Sequence, residues 1–183
     1  VEATALVNSL DTPYESEEAR YCDLYFERTR NAVMRDHPWN FLTTTVSLGN
    51  LGTPPTGWSF RYQYPTNCLR AIEIVRTNRT DAKIDFEVRH DGASGRVILT
   101  DYQNAELKFT QLITDPNVYD DMFLDALSWA LAFRLAGPVT GNDNKKQAAL
   151  TMYQNLINAA EAEDSAEGIE DTLVDASWTS ARL

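Results

Sequence analysis

The side chains best suited to transition-metal or thiolate chemistry in this chain are two histidines, His37 and His90, and two cysteines, Cys22 and Cys68, the only ones present. Ligand sets of the HExxH or CxxC kind place donors within a turn of one another, and neither pattern occurs. His37 stands in "DHPWNF" at the end of a helical pattern, and His90 ends a strand pattern. Neither has an acidic partner at ligand spacing. Cys22 lies in a helical pattern and Cys68 follows a turn, so both are expected to be reduced and buried as small apolar side chains. The acidic pairs Glu17/Glu18, Asp120/Asp121 and Glu163/Asp164 could supply hydrolase carboxylates. Adjacent acids on a helix point apart, however, whereas hydrolysis needs two that face one bond. No GxSxG, P-loop or GxGxxG motif is present, and the two prolines of "GNLGTPPTG" remove backbone donors that a phosphate cradle needs. These residues predict no enzyme, no metal and no cofactor.

One aromatic pattern could bind a ligand. Trp58, Phe60, Tyr62 and Tyr64 alternate with Ser59, Arg61 and Gln63, as a sugar-stacking platform would. A half-buried strand shows the same alternation, so a carbohydrate-binding β-module on a helical stalk stands as the alternative to core packing.

The elements that position these residues follow from periodicity. Residues 1–10 form a short helical candidate with Ala5, Leu6 and Leu10 roughly on one side, ended by Asp11-Thr12-Pro13. From Ser16, an N-cap followed by Glu17 and Glu18, apolar residues recur at Cys22, Tyr25, Phe26, Thr29 and Val33 until Pro38. The period then falls to two. Six strands are expected between Leu42 and Ile113, forming a small antiparallel sheet or sandwich. Asp115 and Pro116 open an apolar helix that runs to Gly137-Pro138, and Asn142 or Asp143 caps a last helix ending near Asp164. The apolar run Ala126–Ala136, interrupted by Arg134, reads as too short to span a membrane.

The expected fold is therefore α+β. Residues 1–38 with 115–164 form a four-helix bundle, residues 39–114 an inserted small antiparallel β-domain, and residues 165–183 an extended C-terminal acidic tail. His37, Pro38, Trp39 and Phe41 are the candidate junction between bundle and β-domain. Sixteen Lys and Arg against 27 Asp and Glu leave a net charge of −11, which disfavours tight nucleic-acid binding. Seven acids and one base, Arg182, fall in residues 161–183. In that polar tail Ile169, Leu173, Val174 and Trp178 are candidate anchors for a partner protein. The start, "VEATALVNSL", has no basic n-region or sustained apolar run, so no signal peptide is expected.

Four blocks in order, "DHPWNFLTTTVSL", "PPTGWSFRYQYPTNCLRAIEI", "RVILTDYQNAELKFTQLITDPNVYDDMFLDALSWALAFRLAGPVTGN" and "YQNLINAAEAED", resemble the tail tubular protein A family of short-tailed bacteriophages, the head-to-tail adaptor. The similarity spans roughly residues 16–164. It implies a structural virion protein at the head–tail junction, assembled in the host cytoplasm as a dodecameric ring. That ring would join the portal protein to the tail tube or nozzle protein, tail tubular protein B, and carry tail fibres in several relatives. It also implies that double-stranded DNA passes through the ring during ejection, with no membrane partner, and that the C-terminal arm, with Ile169, Leu173, Val174 and Trp178, reaches the portal. A lumen lined with part of the −11 charge of each subunit would repel passing DNA.

Overall fold

The computed structural model describes residues 13–14, 16–75, 83–92 and 94–167. Ser16 opens the first helix, α1 (Glu17–Asp36), its hydroxyl accepting from the Ala19 N–H at 3.2 Å. Glu17 and Glu18 sit at the positive end of the helix dipole and Arg35 at the negative end. Asp36 is the last helical residue because Pro38 disfavours helix at His37, which is extended.

Six strands follow: β1 (Thr43–Ser47), β2 (Phe60–Gln63), β3 (Cys68–Val75), β4 (Phe86–Asp91), β5 (Gly95–Thr100) and β6 (Glu106–Gln111). All pairings are antiparallel, in two three-stranded sheets ordered β1-β6-β3 and β2-β5-β4. Tyr62 and Ile98 of the second sheet share one core cluster with Cys68, Ile74, Leu107 and Phe109 of the first. The central strands β5 and β6 are the most buried, whereas the edges β1 and β4 are largely exposed.

The helical part corrects the expected architecture. Among the described residues there are three α-helices, not a bundle of four, and the strands form two packed sheets instead of one small insert. The fourth helix was to come from residues 1–10, which lie outside the described residues. The sheets pair because alternating strands leave one apolar face each, and a single three-stranded layer cannot cover that face from both sides. Asp115 is also corrected: it caps only a single 3₁₀ turn, Pro116–Val118, and accepts from the Asn117 N–H at 3.0 Å. The chain restarts at Asp120, whose carboxylate accepts from the Met122 N–H at 2.8 Å and caps α2 (Asp121–Leu135). Asp120→Ala should therefore cost about 0.5–2 kcal/mol of stability in urea unfolding, whereas Asp115→Ala, which frees only a short turn, should cost less.

Gly137-Pro138 does not end the apolar helix at once. A π-turn over Ala136–Thr140 absorbs the proline, and Gly141, with φ of 58°, then turns the chain into α3 (Asp143–Glu167). Asn142 caps α3 by accepting from Asn144 and Lys145 N–H groups. Residues Asp121–Thr140 together are long and apolar enough to cross a membrane by length and composition, which the shorter run counted in sequence did not show. In this fold the segment lies between α1 and α3, with Phe123, Ala126, Leu127 and Ala130 buried. Asp125 and Arg134 within it would each cost about 2.5–3.5 kcal/mol at a bilayer centre.

Candidate functional site

Of the junction predicted at His37, Pro38, Trp39 and Phe41, His37 and Trp39 are buried in an aromatic cluster, Phe41 is half-buried against it and Pro38 is exposed. Trp39 is 4% exposed and meets the edge or face of three rings: His37 at 5.0 Å, Phe123 at 5.3 Å and Phe41 at 6.4 Å between centroids. Phe41 and Tyr119 each pack on Phe123 as well, at 5.3 and 5.0 Å. The Trp39 indole donates to the Val33 carbonyl at 3.0 Å, near the end of α1, and the Tyr119 hydroxyl donates to the Ile113 carbonyl beyond β6. Arg70 on β3 donates to the Arg35 carbonyl at 3.2 Å, and Tyr153 on α3 donates to Asp36 at 2.5 Å. Burial and the Asp36 carboxylate both push the Tyr153 hydroxyl pKa upward. The helix end is thus tied to the first sheet, to α2 and to α3 at once.

Chemically this arrangement is a clamp. His37 is 2% exposed, and it lines a cavity of about 510 Å³ with Pro38, Thr43, Ile72, Lys108 and Glu161. His90 is exposed on β4 and lines a separate cavity with Arg61, Arg89 and Asp91, so the two histidines do not converge. Among the described residues no group of three or more His, Cys, Asp or Glu side chains could hold a metal ion. Two of the three acidic pairs have a member held locally: Glu17 binds Arg20 at 2.7 Å, and Asp120 is the α2 cap. Cys68 is buried beside Tyr64, and burial raises both groups' pKa values. Cys22 is only half-buried, contrary to expectation, because it faces a groove instead of the core.

The aromatic strand divides. Tyr62 and Tyr64 are buried in the sandwich core, and Phe60 stacks on Tyr62 at 6.1 Å. Trp58 is half-buried, its indole donating to Glu87 at 3.3 Å across the sheet. Rings buried in this way leave no continuous stacking platform along Trp58–Tyr64. Ile169, Leu173, Val174 and Trp178 lie outside the described residues.

Two features escaped the sequence reading. Arg61 and Asp91 pair at 2.9 Å across the second sheet, and Arg61 also donates to the Leu51 carbonyl at 2.8 Å, holding down the Pro-rich loop. The other is a groove of about 480 Å³ along the helices, lined by Cys22, Trp129, Leu135 and Val139. Its signal was present: α2 is apolar nearly all round, and such a helix needs cover on more than one side. No protein-family model matches this sequence, and no curated protein is significantly similar to it.

Proposed function

We propose that this chain is a non-enzymatic subunit of the head-to-tail adaptor of a short-tailed bacteriophage, forming a ring between portal and tail tube. The observation that carries the reading is the incomplete cover of α2. Leu124 is 39% exposed and Trp129 37% exposed on a helix whose polar side chains are limited to Asp121, Asp125, Ser128 and Arg134, and Val118 just ahead of it is about half exposed. Apolar side chains left open on a helix central to its own fold call for cover by other protein. The four ordered sequence blocks and the net charge of −11 support the same reading, the charge because a negative lumen lets DNA pass without sticking. Ile169, Leu173, Val174 and Trp178 remain the proposed portal contacts. A carbohydrate-binding role is less well supported, since Tyr62 and Tyr64 are committed to the core.

The test is assembly. Purified protein mixed with portal particles should form closed rings of about twelve subunits by electron microscopy and native mass measurement. Leu124→Asp should weaken that association by about 2 kcal/mol or more while leaving the thermal unfolding of the subunit nearly unchanged. A wild-type protein that stays monomeric and never joins portal particles would end this proposal.

A further inference from the structure

The outer side of α1 carries a basic stripe around an open leucine. Leu24 is 51% exposed, more than any other large apolar side chain among the described residues. At about 100° per residue, Arg28, Asn31 and Arg35 continue the stripe from Leu24, roughly opposite the buried Arg30, Val33 and Met34. Arg70 of β3 joins it by donating to the Arg35 carbonyl, and the Arg96 guanidinium of β5 lies 3.7 Å from the centre of the Tyr64 ring. Burial raises the Cys68 thiol pKa, and Arg96 and Arg35 both oppose that rise, so both groups stand near that thiol. Arg20, Arg61 and Arg89 each face a carboxylate, but among the described residues none of Arg28, Arg35, Arg70 and Arg96 is in an ion pair. Glu27 borders the stripe by helical phase, and Asp23 is held by the Tyr14 hydroxyl.

The opposite pattern stands on α2. Residues 114–133 hold Asp115, Asp120, Asp121 and Asp125 and no lysine or arginine. By the same phase Asp121, Leu124, Asp125 and Ser128 share one exposed face, roughly opposite the buried Phe123, Ala126, Leu127 and Ala130.

We propose that these faces are the two halves of one contact between neighbouring copies of this chain, the α1 face of one subunit receiving the α2 face of the next, with Leu24 against Leu124 and arginines beside aspartates. The inference rests on the ring reading above and names its interface. A closed ring needs a head-to-tail contact made by two different, complementary patches on each subunit. A twofold dimer would set a patch on itself, arginine on arginine or aspartate on aspartate, so charge selects the head-to-tail arrangement. The leucines select the occupant. A phosphate backbone would engage the arginines and leave Leu24 open to water, whereas a protein face with its own exposed leucine covers both.

Two variants of the full chain test the contact in assembly with portal particles. Arg28→Glu with Arg35→Glu, and Asp121→Arg with Asp125→Arg, should each lower ring formation at least about tenfold while thermal unfolding stays nearly unchanged. Mixed one to one, they should assemble again to near the wild-type level, because the reversed face of each meets the reversed face of the other. Wild-type ring formation tests the ring reading, and recovery on mixing tests this contact. A wild type that never assembles ends both. Normal assembly of either variant alone overturns the contact, and so does loss without recovery, which would set these faces against the portal. Assembly left intact while the arginine variant loses retention of double-stranded DNA in a gel shift also overturns it and assigns the arginines to phosphate. Should a reversal unfold the subunit, Arg28→Gln with Arg35→Gln decides. It should flatten the salt dependence of assembly between roughly 50 and 500 mM, and an unchanged dependence overturns the contact.

Discussion

Trp39→Ala should destabilise the protein by about 3–5 kcal/mol, read as a fall in the urea midpoint at unchanged slope. The indole is 4% exposed and joins Phe123, Phe41 and His37 in one cluster. Its removal empties the meeting point of α1, α2 and the first sheet, and small movements of three separate elements cannot refill it. It also removes the donor to the Val33 carbonyl. Trp39→Phe keeps most ring contacts and loses that hydrogen bond, so it should cost about 1 kcal/mol from the bond plus a smaller packing loss. Combined with Phe123→Ala, the effects should fall short of additive, because each substitution removes the other's partner. A loss under about 1 kcal/mol for Trp39→Ala would show that other contacts hold the junction.

Tyr62→Ala should be of similar size, about 3–5 kcal/mol, but in a separate core. Tyr62 is 2% exposed at the centre of the sandwich, stacked with Phe60, and its hydroxyl donates to the Tyr102 carbonyl at 3.0 Å. Tyr62→Phe isolates that hydrogen bond and should cost about 1 kcal/mol. Trp39 and Tyr62 belong to different buried clusters, so their alanine substitutions should add to within about 0.5 kcal/mol in equilibrium unfolding. A coupling well above that would mean that the two clusters respond as one packed unit.

The six strands were legible because alternation with period two carries into backbone geometry almost directly. Tyr62 and Tyr64 point inward as the alternation requires, and Leu107 and Phe109 do the same on β6. Helix ends were legible where a cap is chemically specific, as at Ser16 and Asn142. Asp115 misled because Asp120, five residues on, is an equally good cap, and the choice between them is made by Tyr119 and Phe41 packing on Phe123. The buried face of α1 also turned: Arg30 and Met34 are buried with Thr29 and Val33, while Cys22 and Tyr25 are not. A helical stripe shows which residues lie together, but the neighbours decide how far round the helix is covered.

By itself the sequence determined the types of the described elements and the junction at His37, Pro38, Trp39 and Phe41, since both rest on short-range chemistry. Only the tertiary structure decided that the strands split into two facing sheets, that α2 lies between α1 and α3, and that Cys22, Trp129 and Val139 meet in one groove. Those facts depend on contacts between residues far apart in the chain, where many arrangements satisfy the same local pattern. What selects among them is the burial of apolar surface in three dimensions.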